Sequence, residues 1–303
     1  MDHARKKALQ DLFGDRIRFH HSLAAYTTLR VGGRAEAFFE AHTAGELARL
    51  IGFLSSSGIP YFVLGAGSNL VVPDEGVRGV VILLRGLLAG VEKGPGEPPS
   101  ILVGAGFPLP DLLTFCRREG LGGLEFLAGI PGTMGGAAIM NAGAFGKETG
   151  SAVVEMEVMD RRGQVFRRRR DELRFRYRGL DLPTGWVVLR VRMVCEASDP
   201  ATVGGRIAVY LKRRKLSQPL DHPSGGSVFK NPPGRHAGRL LEEAGLKGKR
   251  VGGAMISTKH ANWIVNTGNA TARDILELMR LARRTVEEKT GVLLEPEIRI
   301  LGQ

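Results

Sequence analysis

The sequence predicts an α+β fold. Short strands rich in β-branched residues stand between isolated amphipathic helices, without the regular alternation of strand and helix that marks a doubly wound sheet. At 303 residues the chain exceeds one typical domain core, so two or three lobes are expected. The 42 glycines, about twice the usual share, gather in a few loops and form no repeat.

Three helices carry clear punctuation. Thr43-Ala-Gly-Glu46 reads as a capping box before an apolar stripe of Leu47, Leu50, Ile51 and Leu54, with a stop at Gly58. Leu109, Leu112, Leu113 and Cys116 form a second stripe closed by Gly120. Thr271-Ala-Arg-Asp274 caps a longer helix through Ile275, Leu278, Met279, Ala282 and Val286, with Gly291 as its exit. Strands are expected at Tyr61–Leu64, Val80–Leu84, Ile101–Val103, Val153–Met159, Val187–Cys195, Asn262–Val265 and Ile298–Leu301. Gly94–Ser100 reads as a surface loop or hairpin end. Composition shifts suggest lobes at 1–57, 58–205 and 206–292, with the segment 293–303 returning to the first lobe.

Composition narrows the function. With 43% hydrophobic and 24% charged residues the chain is an ordinary globular one, and no stretch approaches 18 consecutive apolar residues. The basic N-terminus, MDHARKKALQDLFG, leads into no apolar signal core, so a cytoplasmic protein without membrane insertion is expected. Two cysteines, Cys116 and Cys195, are too few for a disulfide framework or a metal cage. The net charge of +12 favours anionic ligands. Aromatic content of only 6% weakens a nucleic-acid reading based on stacking, despite the basic runs Arg167–Arg170 and Lys212–Lys215.

Two glycine-rich stretches suit a phosphate-bearing ligand. Gly65-Ala66-Gly67-Ser68-Asn69-Leu70 joins two apolar strands, and a turn of small residues can aim successive backbone N–H groups at an anion. Gly129-Ile130-Pro131-Gly132, continuing through Gly135, Gly136, Asn141 and Gly143 to Gly146, is uncharged until Lys147. A surface loop is normally polar, so this stretch reads as backbone packed against a large, flat, partly apolar ligand. Neither stretch is a GxGxxG or GxxxxGK[ST] motif, which removes the commonest nucleotide folds.

The candidate catalytic groups are individually ambiguous. In Arg174-Phe-Arg-Tyr-Arg178 charges alternate with aromatics as on a strand; guanidinium binds carboxylate or phosphate, and surface charge is the alternative. Ser227 follows two glycines in Pro223-Ser-Gly-Gly-Ser227-Val-Phe-Lys-Asn-Pro232, outside any GxSxG elbow, and is either a turn residue or a positioned proton donor. Glu295 and Glu297 share one side of a terminal strand unless Pro296 re-aims Glu295. His260, in Lys259-His260-Ala-Asn262-Trp263, is a ligand, a base or a satisfied core histidine.

As an ordered set these segments resemble the UDP-N-acetylenolpyruvoylglucosamine reductases (MurB). The matching stretches are Thr27–Gly33, Gly65–Leu70, Ile130–Gly136 with Asn141–Gly146, Tyr177-Arg178, Lys215 through Pro232, His260–Asn266 and Glu295–Glu297, spanning nearly the whole chain. The resemblance implies a vanillyl-alcohol-oxidase-type fold whose two lobes hold non-covalent FAD, and a third lobe for substrate. It implies that hydride from NADPH is stored on the flavin, then passed to the enolpyruvyl methylene carbon of a UDP-sugar. Arg178 and Glu297 match positions that stabilise the resulting enolate, Ser227 the proton donor, and Lys215 and Asn231 the diphosphate and nucleotide contacts. His260 and Asn262 are carried as further substrate positions, and a monomer is expected. Leu180 departs from the serine usual two residues after the arginine. The short connection before Lys215 resembles the subclass without an extra tyrosine-bearing loop. Another FAD-linked oxidoreductase of the same fold, of the sugar-lactone oxidase type, explains the glycine loops but not the ordered Arg178, Ser227 and Glu297.

Overall fold

A computed structural model describes residues 1–302, so Gln303, the last residue of the 293–303 segment, lies outside the described residues. Its helices are α1 (His3–Phe13), α2 (Ala44–Ser56), α3 (Leu109–Arg118), α4 (Met134–Ile139), α5 (Pro200–Ser217), α6 (Ala237–Glu243) and α7 (Ala272–Thr290). They alternate irregularly with short, mostly antiparallel strands, an α+β arrangement.

The punctuated helices form where their caps and stripes place them. In α7 the box closes both ways: Asp274 N–H donates to Thr271 Oγ1 at 3.1 Å and Thr271 N–H to the Asp274 carboxylate at 2.9 Å. Gly291, at φ +68°, ends it in the left-handed conformation. In α2 only half of the expected box forms. Thr43 Oγ1 accepts from Glu46 N–H at 3.2 Å, but the Glu46 carboxylate turns to His42 N–H at 2.9 Å and to Arg16 at 2.7 Å. The charged partner wins over a neutral amide because charge-assisted bonds are the stronger ones. Helices α1, α4, α5 and α6 have weak signals: α1 buries only Leu9, and α5 runs unbroken through the poor helix formers Gly204-Gly205.

The chain divides into two compact units. The first comprises 1–19, 37–66 and 79–213. Its core unites α2 and α3 with an antiparallel five-stranded sheet in the order Val165–Arg169, Val153–Met159, Val187–Val194, Ser100–Gly104, Val91–Gly94. The Gly94–Ser100 segment is the hairpin end joining the last two strands. One face of this sheet carries charges across the strands: Arg167 to Glu157 at 3.4 Å, Glu157 to Arg190 at 3.9 Å and Arg190 to Glu92 at 3.9 Å. Strand Tyr61–Leu64 runs parallel to Val77–Leu84 in the register Tyr61↔Val80.

The second unit comprises 20–36, 67–78 and 214–303. Its core holds Leu29, Val31, Val71, Phe229, Ile264, Leu278 and Ile298. A four-stranded sheet runs Ser224–Ser227, Trp263–Asn266, Ala254–Ile256, Arg250–Val251, with α7 packed on it. Separately, Arg299–Ile300 pairs parallel with Leu70–Val71. Asp74 anchors α7 by accepting Ala272 N–H and Arg273 N–H at 2.9 Å each, placing an anion on the helix N-terminus.

Candidate functional site

In the first unit the glycine stretches meet. A Cβ on Gly65 would lie 2.7 Å from Thr133 Oγ1, so a side chain there would displace the Thr133 hydroxyl. Thr133 is the N-cap of α4, and its Oγ1 accepts Gly136 N–H at 3.4 Å. The backbone here is stitched to its surroundings by Leu109 N–H to Gly132 O at 3.0 Å and Gly135 N–H to Ala105 O at 2.8 Å. Gly129, Pro131 and Gly136 are exposed, Ile130 and Gly132 half-buried, and Gly135 buried. What the sequence presents as one long loop is a short helix followed by a hairpin, Gly143–Ala144 against Lys147–Glu148. A Cβ on Gly143 would meet Lys147 O at 2.4 Å. Asn141 is buried, at φ +42°. Its amide donates to Glu148 at 2.7 Å and to Arg176 O at 3.0 Å and accepts Gly150 N–H at 2.8 Å. Asn141 therefore braces the loop from behind.

Arg178 lies elsewhere in the same unit. Strands Arg174–Arg176 and Gly179–Asp181 form a hairpin with Tyr177-Arg178 as its tip. The alternation thus continues only to Arg176, and Arg178 sits in a turn rather than on a strand. It is half-buried with φ +58°, a strained position for a residue with a side chain, and its guanidinium lies 5.0 Å from the Tyr177 ring centroid. Leu180 is buried and pairs across the hairpin with Phe175, an apolar anchor at the position where the resemblance leads one to expect a serine.

In the second unit the remaining catalytic candidates come together. Gly67, at φ +60°, passes so close to Tyr26 O that a Cβ would lie 2.0 Å away. Thr28 ties this turn to the serine strand: its N–H donates to Gly67 O at 3.1 Å and its Oγ1 to Ser224 O at 2.6 Å. Between Ser224 and Ser227 the strand gains one residue over its partner, pairing Ser224↔Val265 and Ser227↔Trp263. Gly225 and Gly226 fill this bulge. A Cβ on Gly225 would strike Ile298 Cδ1 at 2.6 Å, and Gly226 has φ +76°. Such a bulge re-aims the side chain that follows, here half-buried Ser227.

Glu297 lies on the next segment. Its N–H donates to Val228 O at 2.8 Å, and its carbonyl accepts Asn69 Nδ2 at 3.1 Å. Phe229 and Pro296 form an antiparallel bridge, and Lys230 N–H donates to Glu295 O at 2.9 Å. Glu295 is exposed and ion-pairs with Lys230, whereas Glu297 is half-buried. The two acids therefore face different environments, and Ser227, Glu297 and Asn69 share one neighbourhood.

The other expected site residues fall into three environments. Asn262 is buried, and its amide bonds Phe229 at both ends, accepting N–H at 2.9 Å and donating to O at 2.8 Å. It holds the Ser227 strand in place. Asn231 accepts Ala237 N–H at 3.0 Å, at the start of α6, and half-buried His260 accepts Asn262 N–H on Nδ1 at 3.2 Å. Burial lowers the His260 pKa and favours the neutral ring. Lys215 is exposed at the end of α5, its carbonyl accepting Lys259 Nζ at 2.6 Å. Sequence reasoning did not single out Thr28 or Thr133. Only the N-cap position of Thr133, just ahead of a short apolar run, carried a local signal.

The residues present fit FAD. Exposed Gly136 has only Thr133 Oγ1, at 3.6 Å, near a would-be Cβ, which leaves open space over the α4 backbone. The donors around residues 65–69 are backbone amides, a hydroxyl and a carboxamide, and residues 129–146 contain no acid to repel a diphosphate. Among the described residues no helix is long and apolar enough to cross a membrane.

Comparison with known proteins agrees, and defines a flavoprotein. Residues 35–168 match the FAD binding domain family, and 218–301 match the family described as UDP-N-acetylenolpyruvoylglucosamine reductase, C-terminal domain. The chain is 46% identical over 288 residues to UDP-N-acetylenolpyruvoylglucosamine reductase 2 of Symbiobacterium thermophilum, covering 95% of this chain and 92% of the relative. Against the reductase of Geobacter metallireducens it is 42% identical over 301 residues, 99% and 98% of the two chains. The crystal structure of the reductase (MurB) from Thermus caldophilus superposes with a TM-score of 0.82 at 43% identity, over 94% of this chain and 99% of that one. The chain belongs to the UDP-N-acetylenolpyruvoylglucosamine reductase family.

Proposed function

We propose that this protein is an FAD-dependent oxidoreductase that reduces UDP-N-acetylglucosamine enolpyruvate to UDP-N-acetylmuramate at the expense of NADPH. It would thereby supply peptidoglycan precursor as a cytoplasmic monomer. The observation that carries the reading is the placement of Ser227 and Glu297 on adjoining segments: Glu297 N–H donates to the carbonyl of Val228, next to Ser227, and Glu297 O accepts the side-chain amide of Asn69 in the glycine turn. Full-length similarity to reductases of this name supports the substrate.

When bound, FAD would supply two-electron storage between NADPH and the enolpyruvyl group. The chain's own residues handle charge and protons. Hydride addition places negative charge on the neighbouring carbon, delocalised into the carboxylate. Arg178 is assigned to that charge, where a guanidinium is worth most away from water. Glu297 is assigned as the hydrogen-bonding partner of the same enolate. Ser227 donates the proton that completes the product, and the glycine bulge before it fixes the direction of its hydroxyl. Lys215 and Asn231 are assigned to the diphosphate and nucleotide, with His260 and Asn262 positioning that wall. In this division 1–57, with 293–303, and 58–205 hold the flavin, and 206–292 holds the sugar nucleotide. The matches at 35–168 and 218–301 support the flavin and substrate roles of the two halves. The net charge of +12 suits ligands that are all anions.

The test is anaerobic. Purified protein is expected to be yellow, to bleach with NADPH, and to regain its colour on addition of UDP-N-acetylglucosamine enolpyruvate but not of UDP-N-acetylglucosamine. Recovery of colour with oxygen alone, and none with the enolpyruvyl substrate, would place it among the oxidases.

A further inference from the structure

The glycine-rich segment 129–146 is flanked by charges that meet through one arginine. Just before it, Glu125 is buried to 6% side-chain exposure, unusual for a carboxylate. Its Oε2 accepts Gly123 N–H at 2.8 Å, and its Oε1 lies 3.4 Å from Arg206 Nη1 on α5. The same Arg206 nitrogen lies 3.6 Å from Glu196, and Glu196 lies 3.7 Å from Lys147, the residue just after the segment. Glu125, Arg206, Glu196 and Lys147 thus form a chain of alternating charge, all within the first unit, whose ends are the two ends of the segment.

The backbone has been cleared to admit this chain. A Cβ on Gly122 would lie 3.2 Å from Glu125 Oε1 and 3.4 Å from Arg206 Nη1. Gly123 has φ +95°, and a Cβ there would lie 3.3 Å from the Glu196 side chain. Strand pairing Glu196↔Gly122 sets the acid against this turn. The chain is graded in exposure: Glu125 is inside, while Glu196 and Lys147 are 57% and 52% exposed. The outer links are weak and screened by salt; the Glu125–Arg206 link, with Glu125 buried and Arg206 49% exposed, is screened less.

We infer that Glu125, Arg206, Glu196 and Lys147 form an ionic clasp that fixes the spacing of the two ends of the 129–146 segment and so sets its affinity for the flavin. Arg206 is the hinge pin, a positioning residue that acts on the cofactor through the loop. The inference rests on the reading of 129–146 as part of the flavin cradle. Preorganising a loop before its ligand arrives lowers the ordering cost of binding, so loosening the clasp weakens binding without removing any ligand contact.

The experiment titrates FAD into flavin-free protein, following flavin fluorescence, and records the melting temperature of the same flavin-free samples. Arg206→Met is expected to raise the FAD dissociation constant about tenfold, equivalent to about 1.4 kcal/mol. Arg206→Lys is expected to recover most of that loss, and Glu125→Gln to behave like Arg206→Met. Lys147→Met is expected to have a small effect that vanishes in high salt. If wild type binds FAD and Arg206→Met binds it equally well while melting at a lower temperature, the clasp is merely structural and the inference is overturned. If wild type does not bind FAD, the flavin reading itself fails.

Discussion

Single backbone positions determine where the proposed reactive groups point. Gly226 takes φ +76° in the bulge that turns Ser227, a conformation that costs a side-chain-bearing residue about 1 kcal/mol. Gly226→Ala is therefore expected to lower unfolding free energy by about that amount in denaturant titration, and to slow reoxidation of reduced flavin by the enolpyruvyl substrate. A variant that loses stability but keeps full substrate turnover would dissociate the bulge from Ser227. Arg178 is another position with positive φ, and its hairpin tip explains why the alternation of Arg174–Arg178 misleads: two-residue tips leave the strand pattern behind. Glu297 and Glu295 illustrate how little spacing says alone. They stand two residues apart, yet one pairs with Lys230 at the surface and the other lies half-buried against the segment that follows Ser227. Arg178, Ser227 and Glu297 were each ambiguous in isolation, and only their order along the chain suggested a shared chemistry.

Whole elements were legible where their signals are local. Thr271 and Asp274 close a reciprocal cap, and Gly291 ends the helix, as their spacing implies. Thr271→Ala is expected to cost about 1 kcal/mol of stability, measured as a shift in the denaturant midpoint. Asp74→Ala, which strips a second anion from the same helix start, should be comparably costly, and the double variant less than additive because both serve the same first turn. Elements whose stability comes from distant partners were not legible. Glu125 reads as an ordinary acid in Leu-Glu-Phe-Leu, because its partner Arg206 is 81 residues away. Helix α4 hides in a glycine run since its support is Thr133 at the cap and the Ala105 strand end beneath Gly135. The half-made cap of α2 has the same origin: Arg16, remote in sequence, diverts Glu46.

At the scale of the molecule, acid stability and catalysis can be separated. Arg16 and the His42 amide hold the Glu46 carboxyl at about 2, below its ordinary 4.5. Its contribution is complete above pH 4.5 and is lost as pH falls toward 2, so Glu46→Gln should flatten the acid limb of the stability profile in that window. Burial lowers His260 below its ordinary 6.5, so the unfolded chain takes the proton more readily and stability falls as pH drops through that value. His260→Gln should remove this slope. The central claim is the proposed division of labour: the flavin-holding loops serve reduction by NADPH, and Ser227 supplies the proton that completes the product. Stopped-flow measurement of the two half-reactions in Ser227→Ala tests it most directly. Flavin reduction by NADPH is expected to stay within about twofold of wild type, while reoxidation by UDP-N-acetylglucosamine enolpyruvate slows by about a thousandfold, the scale of a lost general acid. Equal slowing of both half-reactions, or of neither, would contradict the account.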